Sequence, residues 1–202
     1  MDKITDFNNL LKFADFLNRF RTIERTILVN GSDRMENDSE HSFNMAMLGW
    51  YINTTYKLSL DTEKLLKYAL VHDLVEIYAG DTYIYSTDQK FVDSKKERED
   101  EALFKIKENF VEFAELASLI EIYNKKNDRE SKFIYALDKI EPILNIYLDK
   151  GETWKKLDIT LDMLVENKTN KVSIDPTIKD IFDQLLLRLQ AENDELFGGL
   201  KK

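Results

Sequence analysis

Residues 61–82 read DTEKLLKYALVHDLVEIYAGDT, and their apolar residues recur at the three- and four-residue spacing that is typical of a helix. Asp61 is a favoured residue type for a helix N-cap, and Gly80 is a favoured type just after a helix C-terminus. The segment therefore predicts one helix that starts after Asp61, runs through Glu76 and stops near Gly80.

This predicted helix carries an acid within its apolar stripe. Asp73 falls at helical spacing from four apolar residues, which are Leu66, Leu70, Leu74 and Ile77. A carboxylate among aliphatic side chains is costly to bury unless a cation or several hydrogen-bond donors compensate it. His72 precedes Asp73, and Glu76 follows His72 by four residues on an adjoining face. The helix therefore predicts a polar site on a buried face.

The rest of the chain also favours helices. Its 202 residues include six Gly and two Pro, too few for a turn-rich β protein. Further helices are expected over residues 4–20, 39–56, 110–123, 128–148 and 176–196 and from about residue 93, with loops at 21–38 and 80–91. Ser39 and Asp175 are the expected N-caps of two of these helices. The fold class is expected to be all-α.

The length of the chain fits one domain better than two. We expect a single domain over residues 1–202, with the site within about 21–150 and helices at about 158–197 packed against it. Hydrophobic residues make up 43% of the chain, which is too apolar for a disordered tail. No stretch approaches the length of a membrane span, and the N-terminus lacks the apolar run of a signal peptide. A cytoplasmic location is therefore expected.

Charge and cysteine content exclude several classes of function. The formal net charge of -9 repels nucleic acid and anionic membranes, so we expect neither as a partner. A small anionic substrate must then meet local positive charge from a metal ion or from a few Arg and Lys side chains. The chain has no cysteine, which excludes disulfides, thiolate zinc sites and a cysteine nucleophile.

The chain contains two histidines, and each of them stands beside an acid. Glu40 precedes His41, and Asp73 follows His72; Asp138 lies among the aliphatic residues of the helix predicted over 128–148. Two imidazoles and two carboxylates suit Mn, Fe, Co, Ni or Zn with open positions for water and substrate, and Mg also remains open. Taken alone, each residue has an ordinary structural explanation, and spacing does not prove that distant helices converge.

Five segments follow one another along the chain in a recognisable order. They are ENDSEHSFNMAML (36–48), ALVHDLVEIYAGDT (69–82), KKERED (95–100), ALDKIEP (136–142) and GETWKKLDIT (151–160). Together they resemble HD-domain hydrolases, specifically the small branch similar to bacterial 5'-deoxynucleotidases. The resemblance implies an HD-type helical bundle with one divalent metal ion. It places the metal ligands at His41, His72, Asp73 and Asp138.

The resemblance also implies roles for residues around the metal. The acids that act near the attacking water and the leaving oxygen match Glu76 and Asp81, and the Arg that binds the substrate phosphate is best matched by Arg25. A Trp follows that Arg in the deoxynucleotidases and crowds the ribose 2' position, whereas Thr26 stands here. The resemblance therefore leaves selectivity for deoxyribose open. Members of the family are commonly dimers, so a homodimer is expected.

Other residues near the predicted site are weaker candidates for substrate binding. Lys95 and Arg98 are secondary candidates for substrate phosphate, since a charge run of alternating sign, to which Lys96 also belongs, is more often a solvated face. Trp50 and Trp154 are expected in the core or at an interface. Three tyrosines border the site and could contact a nucleoside, although packing is the simpler interpretation; they are Tyr78, Tyr83 and Tyr85.

The function predicted from these residues is metal-dependent hydrolysis of a phosphomonoester, with a nucleoside 5'-monophosphate as the expected substrate. One alternative keeps the metal site but changes the substrate to a nucleoside triphosphate, an alarmone or a cyclic nucleotide. Dinuclear HD phosphodiesterases need further histidines, which this chain lacks. The other alternative is a non-catalytic, metal-binding helical regulatory module, against which the acids at Glu76 and Asp81 argue.

Overall fold

Three helices form the frame around the predicted site. In a computed structural model, which describes residues 3–83 and 85–198, these helices are α2 (Asp38–Thr55), α3 (Thr62–Val71) and α8 (Arg129–Leu148). They pack against one another through fully buried side chains such as Met45 and Leu65. The remaining helices are α1 (Lys3–Phe20), α4 (Glu76–Ala79), α5 (Gln89–Asp93), α6 (Lys95–Asn109), α7 (Ala114–Lys125), α9 (Glu152–Lys156), α10 (Leu161–Val172), α11 (Pro176–Ala191) and α12 (Asn193–Phe197), with a 3-10 turn at Val111–Phe113.

Buried apolar side chains form two clusters. The larger one lies between α2, α3, α8, α10 and α11, and the smaller one joins α1, α4, α6 and α7. Leu119 of α7 packs against both clusters and links them. The prediction of an all-α fold is confirmed, and none of the helices within the described ranges is both long and apolar enough to cross a membrane. The division into one domain stays a prediction.

The single helix predicted from Asp61 to Gly80 is broken in the structure. Its start is confirmed, because the Asp61 carboxylate accepts a hydrogen bond from the Lys64 backbone at 3.1 Å, and Gly80 adopts the left-handed φ of 75° after α4. Between α3 and α4, however, the backbone bonds from Leu74 to Val71 and from Glu76 to Asp73 close three-residue turns. These tighter turns reorient the chain and place His72 and Asp73 at the end of a helix.

The buried side of α3 also differs from the predicted one. The predicted stripe included Leu70, but Leu70 is 53% exposed, and α3 instead buries the face that carries Leu65, Tyr68 and Ala69 against α2 and α8. Leu74 is buried as predicted, although it packs in the smaller cluster. The predicted stripe thus joined residues that the structure separates, since Leu70 belongs to α3 whereas Leu74 lies beyond its end at Val71.

Residues 21–38, which the sequence predicted as a loop, contain an antiparallel hairpin of β1 (Glu24–Leu28) and β2 (Met35–Asn37). Helix α2 follows β2 directly. Asn37, not the predicted Ser39, is its N-cap, because the Asn37 side chain accepts from the Glu40 backbone at 3.1 Å while the Glu40 carboxylate accepts from the Asn37 backbone. This capping box fixes the start of the helix that carries His41.

Helices in the second half start largely where the sequence predicts. Asp128 caps α8 and Asp175 caps α11, each through a carboxylate that accepts a backbone hydrogen bond, and Pro176 occupies the first turn of α11. The helix predicted to reach residue 196 is interrupted, since α11 ends at Ala191 and α12 follows. Helix α10, which forms part of the wall of a large cavity, was not separately predicted.

Candidate metal centre

The four residues predicted to hold a metal meet at one point. His41 comes from α2, His72 and Asp73 from the turn after α3, and Asp138 from α8. One donor atom from each residue lies within 4.8 Å of all the others. His41 Nε2 is 3.2 Å from Asp138 Oδ1 and 3.8 Å from Asp73 Oδ2, while His72 Nε2 is 3.1 Å from Asp73 Oδ2. The structure therefore brings together side chains that are nearly 100 residues apart in sequence.

His72 presents an unpartnered nitrogen to this cluster. Its Nδ1 donates a hydrogen bond to the Ala69 carbonyl at 2.8 Å, which places the ring hydrogen on Nδ1 and leaves Nε2 with a free lone pair. Nε2 is buried without a hydrogen-bond partner and faces the Asp73 carboxylate. A lone pair that faces a carboxylate is repulsive unless a cation lies between them, so the donor set fits a divalent metal ion.

His41 is held by a second carboxylate on its other side. Its Nδ1 lies 2.9 Å from Glu141 Oε2, and Glu141 in turn accepts from Asn145 Nδ2 at 2.6 Å. Burial and the charge of Arg25 lower the pKa of His41, but hydrogen bonds to Asp138 and Glu141 outweigh them and raise it to about 9. An imidazole oriented by a buried carboxylate is a typical arrangement behind metal-binding histidines.

The two acids with expected roles in proton transfer lie beside the cluster. Glu76 begins α4 and is buried, with Oε2 unpartnered, while Asp81 lies in the loop just after Gly80. Burial, reinforced by the nearby charges of Asp73 and Asp38, raises the pKa of Glu76 well above its ordinary value. Burial also raises the pKa of Asp81. Both carboxyl groups line the same cavity as Asp73 and Asp138 of the cluster.

Arg25 reaches the cluster from β1. Its Nη1 donates to Asp73 Oδ2 at 3.0 Å and to Asp38 Oδ1 at 3.2 Å, and its Nε lies 3.6 Å from Glu36 Oε2. The pKa of Arg25 is raised because the attraction of Asp73, Asp138 and Asp38 outweighs the effect of burial. Asp38 is fully buried and was not singled out by the sequence, although it is one of the acids that anchor this guanidinium.

The two weaker phosphate-binding candidates differ in position. Lys95 lines the cavity and pairs with Glu99 at 3.4 Å. Arg98 is not among the lining residues, because its guanidinium donates to the Ala79 carbonyl, to Thr82 Oγ1 at 2.8 Å and to the Phe91 carbonyl at 3.0 Å. We therefore correct the assignment of Arg98, whose donors hold the loop that carries Asp81.

The cavity beside the cluster holds about 870 Å³ of empty space when the solvent in its open mouth is included. Charged residues of the site form part of its lining, namely Arg25, Asp73, Glu76, Asp81, Lys95 and Asp138. Apolar residues from β1, α8, α10 and the α9 region form another part, including Ile27, Ile143, Trp154, Ile159 and Leu164. The cavity therefore combines charged donors with an apolar wall.

Aromatic residues occupy different positions around this cavity. Tyr83 and Tyr85 line it, whereas Tyr78 packs against the smaller core cluster. Trp154 is buried, lines the cavity and stacks on Phe197 of α12, with ring centroids 4.5 Å apart. The prediction that Trp154 belongs to the core is confirmed.

Two cavity lysines were missed by the sequence analysis. Lys139 follows Asp138 and donates a hydrogen bond to its carboxylate, and Lys168 projects from α10 at a position that is only 8% exposed. The detectable signal for Lys168 was its place four residues after Leu164 and four before Val172, at the spacing of a buried helix face.

The chain resembles proteins of known family across most of its length. The model of the HD domain family matches residues 17–179. The chain is 28% identical to the 5'-deoxynucleotidase hdd1 of Schizosaccharomyces pombe over 69% of this chain and 71% of that one. It is 32% identical to the 5'-deoxynucleotidase HDDC2 of Homo sapiens over 67% of this chain and 66% of that one.

A solved structure shares the architecture. A predicted metal-dependent phosphohydrolase from Magnetospirillum magnetotacticum MS-1 is 25% identical, covers 93% of this chain and 95% of its own, and superimposes with a TM-score of 0.77. The family model spans α2, α3 and α8, the three helices that supply the cluster. Because the family model matches residues 17–179, which are most of the chain, the protein belongs to the HD domain family.

Proposed function

We propose that this protein is a metal-dependent phosphohydrolase that converts a nucleoside 5'-monophosphate to the nucleoside and inorganic phosphate. The observation that carries the proposal is that Asp73 and Asp138 of the His–Asp cluster line one cavity together with Glu76, Asp81 and Arg25. The relatives that the chain matches are named 5'-deoxynucleotidases, which supports a nucleotide as the substrate class.

In this proposal His41, His72, Asp73 and Asp138 hold one divalent ion. Bound there, the ion would polarise a phosphoryl oxygen and lower the pKa of a water molecule. Mixed nitrogen and oxygen ligands are compatible with Mn, Fe, Co, Ni or Zn, and Mg remains open.

Three side chains beside the ion supply charge stabilisation and proton transfer. Arg25, held in place by Asp38 and Asp73, offsets negative charge as the phosphoryl group is transferred. Glu76 and Asp81 are carboxyl groups whose pKa values burial raises above their ordinary values, and this favours the protonated form that a proton donor needs. We assign these two acids jointly to orienting water and to protonating the leaving oxygen.

The proposal is tested by phosphate release from a panel of nucleoside 5'-monophosphates with added Mn or Co. Glu76→Gln should lower kcat by roughly 100-fold or more, since general acid–base groups typically contribute that much. Glu63→Gln is the matched control, because Glu63 lies exposed on α3 and away from the cavity. If no metal supports release from any of these substrates, the hydrolase proposal is wrong and a regulatory module is favoured.

We further propose that both ribose and deoxyribose substrates are accepted. Thr26 follows Arg25 and lines the cavity, and its side chain is much smaller than the Trp of the family branch that the sequence resembles. Rates with AMP and dAMP should then agree within about tenfold, and Thr26→Trp should disfavour AMP selectively. A wild-type protein that hydrolyses only deoxyribonucleotides would show that another group reads the 2' position.

We also propose a homodimer, formed through an exposed stripe on α2. Four large apolar residues at helical spacing along α2 are between 46% and 63% exposed; they are Phe43, Met47, Trp50 and Tyr51. A contiguous exposed apolar surface of this kind is typical of an interface. Light scattering should show a dimer that Trp50→Glu converts to a monomer, while Phe104→Glu, at an exposed apolar site on α6, should leave it intact. A wild-type monomer at micromolar concentration would contradict this assignment.

A further inference from the structure

Lys168 occupies a core-facing position on α10. Leu164 and Val172, one turn to either side, are 1% and 0% exposed, and Lys168 itself is buried and lines the cavity. A long cationic side chain is rarely buried in this way without a partner, because removing its charge from water is costly. The position therefore calls for a group that compensates the amine.

The other cations that line the cavity already have such a group. Arg25 is paired with Asp38 and Asp73, Lys95 with Glu99, and Lys139 with Asp138. For Lys168, no acid in residues 3–83 and 85–198 forms an ion pair. Among the cavity cations of the described chain, its charge is the one left uncompensated.

The charges around Lys168 come from three elements. Asp138 and Lys139 of α8 act on it, as do Arg25 of β1 and Lys171 of its own helix. Burial, followed by repulsion from Lys139, lowers the pKa of Lys168 from 10.5 to about 7, while Asp138 raises it only in part. The amine is therefore partly neutral near pH 7, and an anion in the cavity would favour its protonated form.

We propose that Lys168 is a substrate-binding residue that contacts the phosphate group and takes up a proton from solvent as the phosphate binds. The identity of the phosphate as part of a nucleotide rests on the function proposed above. A phosphate fits better than a neutral acceptor on the base, because only an anion compensates a buried ammonium group. The groups that act on Lys168 include Asp138 and Arg25, which belong to the proposed reaction centre.

Proton uptake can be measured with inorganic phosphate alone. Titration calorimetry of the metal-loaded protein at pH 8, in buffers with different ionisation enthalpies, gives the number of protons bound per phosphate. With a pKa of about 7, roughly one Lys168 in ten is protonated at this pH before binding, so the wild type should take up nearly one proton more than either variant that cannot titrate. The two variants are Lys168→Met, which has no charge, and Lys168→Arg, which is always charged.

Affinity separates contact with phosphate from contact with the nucleoside. Lys168→Met should weaken the binding of inorganic phosphate by about 10-fold or more, since one charge-assisted hydrogen bond is lost. Lys168→Arg should retain most of the affinity. Lys171→Met is the matched control, because it removes the same charge from the same helix at a residue that does not line the cavity, and it should change affinity less than about twofold.

Three results would overturn the inference. They are unchanged phosphate affinity and proton uptake in Lys168→Met, weaker nucleotide binding with unchanged phosphate binding, and no phosphate binding by the wild type. The measurement does not depend on turnover. A protein that binds phosphate through Lys168 yet hydrolyses no nucleotide would therefore retain this inference and lose the proposed function.

Discussion

Asp73 is the acid of the candidate metal centre that contacts both imidazoles and the guanidinium of Arg25. Its Oδ2 lies within 3.8 Å of His41, His72 and Arg25, so one carboxylate joins the imidazole cluster to the guanidinium. Burial raises the pKa of Asp73, but its interactions with cationic neighbours, which include Arg25, outweigh burial and hold the pKa below its ordinary value. The residue is therefore expected to stay ionised under all ordinary conditions.

Replacing Asp73 should remove the metal. We predict that Asp73→Ala loses both bound metal and turnover, because one ligand is gone and Arg25 is released from one of its partners. Metal content by elemental analysis checks this, with Asp93→Ala on the exposed face of α5 as the control. Full metal occupancy in the Asp73 variant would show that the ligands lie elsewhere.

Lys168 should lower the free energy of unfolding of the protein by an amount that depends on pH. Its folded-state pKa of about 7 lies below the ordinary value of 10.5, so between these values the unfolded state binds a proton that the folded state does not. The lysine therefore destabilises the fold most below about pH 7, and its effect vanishes as the pH rises towards 10.5.

Lys168→Met should accordingly be more stable than the wild type by roughly 1–3 kcal/mol at pH 7. Urea unfolding at several pH values should show that this gain shrinks between pH 7 and pH 10. A gain that is constant over this range would mean that Lys168 keeps an ordinary pKa in the folded protein.

At the residue scale, the sequence predicted the members of the cluster but not what holds them. His41 and His72 stood out because the chain has two histidines. The hydrogen bond from His41 to Glu141, and the anchoring of Arg25 by Asp38, depend on how strands and helices pack, and no local pattern specifies them. Lys168 was missed because α10 was not separately predicted.

At the scale of the elements, the side chain of Arg98 holds the loop that follows α4. Arg98 of α6 donates to Ala79 and Thr82, which bracket Asp81, and its guanidinium stacks 3.7 Å from the centre of the Phe91 ring. These contacts fix the backbone on both sides of the acid. Arg98 is therefore a positioning residue for Asp81 in the proposed reaction.

Arg98→Met should lower kcat by about tenfold or more with little change in metal content, because Asp81 would lose its fixed position while the ligands remain. Arg98→Lys should restore part of the rate, since a cation could still reach one of the acceptors. Lys96→Met, at an exposed position of the same helix, is the control. An Arg98→Met protein with full activity would show that the loop is ordered by other contacts.

For the individual elements, the sequence predicted where helices start better than where they are interrupted. Asp61, Asp128 and Asp175 cap their helices through local hydrogen bonds, which depend on a few neighbouring residues. The interruption after Val71 was missed because the apolar spacing continues across it. The hairpin at 24–37 was missed because its three-residue second strand is too short to show a period of two.

For the whole molecule, metal binding should be coupled to stability. The cluster gathers buried acids and imidazoles from three segments that are far apart in sequence, so a bound ion would link them in the folded state only. At an ion concentration 100 times the dissociation constant, the expected stabilisation is about 2.7 kcal/mol.

For a chain of this size, that stabilisation corresponds to a rise in Tm of roughly 5–10 °C. Thermal unfolding with added Mn or Co, and again after chelation, measures the effect. Asp73→Ala should show no such rise. A wild-type Tm that is insensitive to all the candidate ions would argue against a metal centre formed by these residues.

The all-α class and the family could both be predicted from sequence, because helical periodicity is local and the five segments retain their order. The arrangement of the C-terminal helices could not be predicted, since it depends on which faces of α8 remain uncovered. That arrangement supplies part of the cavity wall, so the shape of the substrate site was less predictable than its chemistry.

The stack between Trp154 and Phe197 makes the far end of the chain a support for the cavity. Trp154 lines the cavity and also stacks on the nearly parallel ring of Phe197, so losing Phe197 would remove one of the contacts that hold the indole. Trimming the protein upstream of α12, as is often done to aid crystallisation, would thus alter ligand selectivity without touching a single charged group of the centre.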